Sequence, residues 1–178
     1  MDHALIQNWN KVVGKDDYVF HLGDFAFADK SKWRQLANSL NGTKWLIQGN
    51  HDRTDDIPIE CFEAVEDMLQ LSIYDEEVEN YSTFIMGHYP LATWAGINRS
   101  ICNLHGHIHS TPDLSGTGFD TIIAKNAPWN QYDVGVDRNN FTPVSYEELK
   151  IIFTKRMLYG SKSVKGTRKS GPNSISES

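Results

Sequence analysis

At 178 residues, with 39% apolar and 11% aromatic side chains, the chain is one domain's worth of sequence with enough apolar content to bury a core, which excludes a disordered polypeptide. No apolar run is long enough to span a bilayer and the N-terminus lacks the layout of a signal peptide, so a cytoplasmic protein without membrane contact is expected. Net charge is −6 overall; 13 basic against 22 acidic side chains over residues 1–159 make that part −9, a poor partner for long nucleic acid and a fair one for divalent cations.

In chain order, "DHALIQNWNKVV" has helical spacing through Leu5, Trp9, Val12 and Val13, with Asp2 as N-cap. "DDYVFHLGDFAF" contains a strand over residues 18–22 that ends at Gly23-Asp24. "SKWRQLANSL" predicts a second helix closed by Asn41-Gly42, and "KWLIQ" a strand ending at Gly49-Asn50. "STFIMGHYP" and "SICNLHGHIHS" predict strands ending at Gly87-His88 and Gly106-His107. "QYDVGVD" predicts a further strand and "SYEELKIIFTKRML" a last helix capped by Ser145. Residues 160–178, rich in Ser, Gly and Lys, are expected to form a flexible tail beyond a domain spanning 1–159. Cys61 and Cys102 have no metal or redox spacing and are expected to be reduced.

Four predicted strands thus end in glycine followed by a polar residue, in an α/β sheet protein whose ligands would gather at strand ends. The polar residues there are Asp24, Asn50, His51, His88, His107 and His109. A carboxylate, an amide and imidazoles form a mixed O/N set that suits Mn, Fe or Zn better than Ca, and a carboxylate can bridge two ions about 3.5–4 Å apart.

The ordered set "GDF" (23–25), "GNHD" (49–52), "GHYP" (87–90) and "GHIH" (106–109) resembles the calcineurin-like metallophosphoesterase superfamily, and within it the small single-domain bacterial and phage members. The resemblance runs from residue 1 to about residue 150. It implies a four-layer α/β/β/α sandwich and a metal-dependent hydrolase of phosphodiesters or phosphomonoesters, with a nucleotide as one candidate substrate. It assigns Asp24 as bridging carboxylate, Asn50, His88 and His107 to one metal site, and His109 to the other. It makes His51 the general acid, oriented by Asp52, and offers Arg53 and Arg99 as contacts for phosphate oxygens.

One family motif has no counterpart: D-x-H, at the end of a first strand that precedes the opening helix. Asp2 and His3 are adjacent and stand at the helix start, where neighbouring positions point in different directions. The second metal site would then keep Asp24 and His109, with water or a residue such as His105 to complete it, so one or two ions are expected. The sheet would lack its first, internal strand. An enzyme whose start lies upstream, and a catalytically impaired remnant with one metal site acting as a binding or structural protein, both fit this departure.

Other polar and aromatic residues have simpler readings. His105 is expected to pack or to support the ligands, His21 to lie in the core and His3 to be solvated. Trp9, Trp33 and Trp45 read as core anchors, while Trp94 and Trp129 lie in loop-like segments that could flank the site. "DEEVE" at 75–79 reads as a solvated turn, and Asp133 and Asp137 as structural. A zinc-structured module fits poorly, since neither cysteine has a partner nearby.

Overall fold

The computed structural model describes residues 2–109 and 119–163. Two sheets form the centre. The first is parallel, in the order β1 (Tyr18–His21), β2 (Thr43–Ile47), β3 (Ala64–Glu66). The second is β4 (Met68–Asp75), β5 (Asn80–Gly87), β6 (Cys102–His105), β7 (Gln131–Asp133), antiparallel between β4 and β5 and parallel thereafter. The helices are α1 (Asp2–Val12), α2 (Lys30–Ser39), α3 (Phe119–Asn126) and α4 (Tyr146–Ser163).

Side-chain alternation sorts the layers. In β2, Leu46 faces outward with Val65 of β3 and packs under α2 with Trp33, Ala37, Ile57 and Phe62. Ile47 faces inward and joins Leu22, Phe84, Met86, Cys102 and Leu104 in the core between the sheets. That core is completed by Leu149 and Phe153 of α4, with the Phe153 ring against Phe84 and Tyr132. On the outer face of the second sheet, Ala124 of α3 and Arg156 of α4 line a small cavity with His105, Gln131 and Asp133. The result is the expected α/β/β/α layering.

Side-chain caps account for several helix ends. Asp29 caps α2 by accepting the Lys32 N–H at 3.0 Å. Asn10 and Asn41 tie α1 to the end of α2: Asn41 N–H donates to Asn10 Oδ1 at 2.8 Å, and Asn41 Nδ2 donates to the Val13 carbonyl at 3.0 Å. Ser145 and Glu148 cap α4 reciprocally, Ser145 N–H donating to Glu148 Oε2 at 2.8 Å and Glu148 N–H to Ser145 Oγ at 3.2 Å.

Some expectations need correction. The acidic run at 75–79 turns between β4 and β5, yet Asp75 is buried, accepting from Tyr146 Oη at 2.9 Å and pairing with Lys150 Nζ at 2.7 Å. That cation and the hydroxyl hold the Asp75 carboxyl below its ordinary range. Trp94 is buried and donates to the Ile101 carbonyl at 2.9 Å, an anchor of its own turn, while Trp45 is half-buried. Helix α4 runs to Ser163, and residues 164–178 of the expected tail lie outside the described residues. β1 is an edge of its sheet, with Tyr18 exposed and Phe20 packed onto the core. Among the described residues no helix is long and apolar enough to cross a membrane.

Candidate metal centre

The ends of β1 and β2 approach so closely that side chains are excluded there. Gly23 has φ +94°, and a Cβ on it would lie 2.7 Å from the Gly49 Cα; a Cβ on Gly49 would overlap the Asp24 carboxylate and amide. Asp24 itself takes φ +54°, a left-handed conformation that aspartate tolerates better than most residues. The chain therefore reverses sharply after Leu22 and presents the Asp24 carboxylate beside the loop that follows β2.

Asp52 fixes this arrangement. Its Oδ2 accepts from the N–H groups of Asp24 at 2.7 Å and Gly49 at 2.9 Å, and its Oδ1 from Phe25 N–H at 2.8 Å. Both carboxylate oxygens are thus committed to backbone, and Asp52 is buried. The structure puts it at the junction of two loops as a clasp, in place of the expected partnership with the His51 ring. In return, Asp24 Oδ1 accepts the His51 N–H at 2.9 Å.

The other ligand candidates come from the second sheet. His88, at the end of β5, is buried, and its Nδ1 lies 2.7 Å from the Leu22 carbonyl oxygen. A carbonyl can only accept, so Nδ1 carries a proton, and Nε2 turns inward. Facing that Nε2 are Asn50 Oδ1 at 2.9 Å, Asp24 Oδ2 at 3.5 Å and His107 Nδ1 at 3.2 Å. His107 reaches this position from a left-handed turn with φ +67° immediately after β6. The candidate ligand atoms of Asp24, His88 and His107 all lie within 4.8 Å of one another.

Such a cluster of acceptors suits a cation. Asn50 Oδ1 is an acceptor facing His88 Nε2, so either a proton or a positive ion must lie between them, and the Asp24 carboxylate adds negative charge. The donor chemistry, two imidazoles with an amide and a carboxylate oxygen, fits a first-row divalent ion.

His109 stands apart from this group. Its Nδ1 lies 2.7 Å from Asp137 Oδ2, and its side chain is 79% exposed. An imidazole held through Nδ1 by a carboxylate presents Nε2 away from it, the orientation common to metal-ligating histidines. Asp137, expected to be structural, pairs with His109 across the chain, a contact that spacing does not reveal. Asp133, by contrast, is buried and accepts from Gly135 N–H at 2.9 Å in the turn after β7.

The remaining residues divide by location. The exposed ring of His51 lies 4.9 Å from that of Phe27. Arg53 is exposed and only loosely paired with Asp56, at 3.6 Å. Among the described residues no hydrogen bond or ion pair joins the Arg99 side chain to the cluster; its backbone closes a turn on Gly96. His105 is buried on the outer face of β6, where desolvation lowers its imidazole to about 4 and keeps it neutral. His21, between the rings of Trp9 and Phe25, has its pKa lowered by burial, with Asp52 and Asp24 opposing.

Comparison with known proteins agrees with this fold. An uncharacterised protein of Methanocaldococcus jannaschii, MJ1445, is 30% identical over 149 residues, covering 83% of this chain and 72% of that one. The crystal structure of AQ665, a protein of unknown function from Aquifex aeolicus, superposes with a TM-score of 0.58 at 21% identity, covering 85% of this chain and 84% of that one; at that identity the likeness speaks to the fold. The model of the calcineurin-like phosphoesterases matches residues 2–162. With the match extending over nearly the whole described chain, this protein belongs to the calcineurin-like phosphoesterases, a family of metal-dependent phosphoester hydrolases.

Proposed function

We propose that the domain of residues 1–159 hydrolyses phosphomonoesters or phosphodiesters, nucleotides among them, with a divalent metal centre and His51 as general acid. Asp24, Asn50, His88 and His107 would hold one ion; Asp24 and His109, the latter oriented by Asp137, would hold a second. The observation that carries this reading is the convergence of Asp24, His88 and His107 ligand atoms within 4.8 Å, with Asn50 Oδ1 at 2.9 Å from His88 Nε2.

Bound divalent ions neutralise phosphoryl oxygens and make water a nucleophile at neutral pH. The residues of the chain supply position and a proton. Asp52 fixes the Asp24 backbone, and Asp24 in turn holds the His51 backbone, so ligand and acid keep a set separation. The protonated His51 ring would donate to the departing alkoxide, contributing about 10²–10⁴-fold. Arg53, on the same loop and exposed, would reach phosphate oxygens; Arg99 is the weaker candidate. The negative charge of the domain favours small substrates over long nucleic acid.

The remnant reading, with one ion and no turnover, has an observation of its own: among the described residues Asp24, His88 and His107 make a single convergent group that His109 does not join. Hydrolysis of bis-p-nitrophenyl phosphate and p-nitrophenyl phosphate with Mn²⁺, measured beside metal content, separates the two. Turnover that Asp24→Ala abolishes supports the enzyme. Absence of turnover with one ion per chain supports the remnant. Because p-nitrophenolate departs readily without a proton, His51→Ala should lose more activity on a phenyl ester than on the nitrophenyl ester.

A further inference from the structure

Phe27 lies in the loop after β1, among residues that pack inward. Phe25, Ala26 and Ala28 all contribute to the core beneath α2. Phe27 does the reverse and is 78% exposed. One exposed phenylalanine is unremarkable by itself, since apolar atoms cover much of any protein surface. Its position is informative: the ring sits 4.9 Å from His51, between centroids, at an interplanar angle of 52°. A second exposed aromatic, Tyr89, touches the rings of His88 at 4.8 Å and His107 at 4.6 Å. Exposed Tyr74 and Tyr81, on the β4–β5 hairpin, instead pair with each other.

A phosphoryl group at the Asp24, His88 and His107 cluster would present its leaving oxygen to His51. With the Phe27 ring 4.9 Å from that of His51, a group carried by that oxygen would lie beside Phe27. Such a surface offers no hydrogen bond, so a sugar hydroxyl gains little there, and an alkyl ammonium group would gain a cation–π attraction alone. A planar π system gains both apolar contact and ring stacking.

We propose that Phe27, held against His51 at the rim of the metal cluster, is a specificity-determining residue that stacks on a planar aromatic group carried by the leaving oxygen of the substrate. The inference rests on the phosphoesterase reading and on His51 lying at the leaving-group side. An aryl ring bonded next to phosphorus and a nucleobase set further out by its ribose share this chemistry.

The test is calorimetric titration of the full chain in Mn²⁺ with three probes: methylphosphonate, phenylphosphonate and adenosine monophosphate. Binding to the wild type should be about fivefold tighter for phenylphosphonate, or for the nucleotide, than for methylphosphonate. Phe27→Leu, which keeps apolar bulk at an exposed position, should erase that advantage and leave methylphosphonate unchanged. Phe27→Tyr should restore it. A loss confined to phenylphosphonate assigns an aryl ester; a loss confined to the nucleotide assigns a base. Equal affinities in the wild type, or an advantage that survives Phe27→Leu, would overturn the proposal. Failure of methylphosphonate itself to bind would show that the phosphoesterase reading has failed, and this inference with it.

Discussion

Asp24 and Asp52 hold each other's loops: the Asp52 carboxylate accepts the Asp24 N–H at 2.7 Å, while the Asp24 carboxylate accepts the N–H of His51, the residue before Asp52, at 2.9 Å. Two acidic side chains thus lock two strand ends together through backbone donors. One remains turned toward the histidines, and the other is consumed in the lock.

Asp52→Asn should therefore be costly although it keeps the size of the side chain. An amide has one acceptor oxygen, so at least one of the donors of Asp24, Phe25 and Gly49 loses its partner. A buried unsatisfied N–H costs about 1–3 kcal/mol, and the displaced Asp24 should weaken Mn²⁺ binding by about 10–100-fold. Urea unfolding and a metal titration on the same variant measure the two effects. Unchanged metal affinity would mean that the clasp does not position Asp24.

Asp137→Asn should act chiefly on His109, the other Asp137 oxygen accepting the N–H of the adjacent Arg138 at 3.1 Å. Loss of the charged acceptor 2.7 Å from Nδ1 lets the ring turn, with an expected loss of about 10–100-fold in affinity for a second ion. The first ion should bind as before. Stoichiometry by isothermal titration checks this: a variant that loses both sites would place Asp137 in general stability.

Lys150 secures α4 to the β4–β5 turn through Asp75 at 2.7 Å and Glu77 at 3.1 Å, which raises its pKa as it lowers that of Asp75. A depressed carboxylate stabilises the fold above its unfolded pKa, and that contribution is lost as pH falls through the folded value. A raised ammonium stabilises below its unfolded pKa and loses the contribution as pH rises through the folded value. The pair should therefore contribute fully across neutral pH. Lys150→Met should lower the melting temperature at pH 7, and the difference from wild type should shrink as pH falls below the unfolded carboxylate range, about 4. A gap that persists in acid would show that Lys150 acts through packing.

The two cysteines should differ in reactivity. Burial raises the Cys102 thiol to about 12, which leaves almost no thiolate at pH 8, whereas Cys61 is half-buried beside Asn38. An aromatic disulfide reagent should label one thiol per native chain, at Cys61, and a second only after unfolding. Mass spectrometry of the labelled peptide identifies which.

The strand-end candidate ligands are legible in the sequence because each is announced locally, by a glycine after an apolar run. Asp24, Asn50, His88 and His107 meet on that basis. The parts acting across the chain are not so announced. Asp52 reads as orienting His51, whereas its oxygens accept from the backbone amides of residues 24, 25 and 49; Asp137 reads simply as structural, and its contact with His109 spans the chain. Among the elements, β4 carries a plain period-two pattern in Leu69, Leu71 and Ile73, but it ends in an acidic turn and so escapes a reading organised around strand-end ligands. β3, with three residues, is too short for any periodicity.

The place of α4 in the core bears on how the protein is made. Leu149 and Phe153 share one apolar cluster with Leu22 and Ile47, so the strands that carry Asp24 and Asn50 share a core with the last described helix. A ribosome adds about 5–20 residues per second and domains fold as units. The first half of this chain must therefore leave the ribosome with its inner face uncovered and wait for the helix to arrive. Until then, Asp24 has no settled partner in His88 or His107. A free ion reaching the nascent chain would meet scattered side chains, so the metal is expected to load after synthesis.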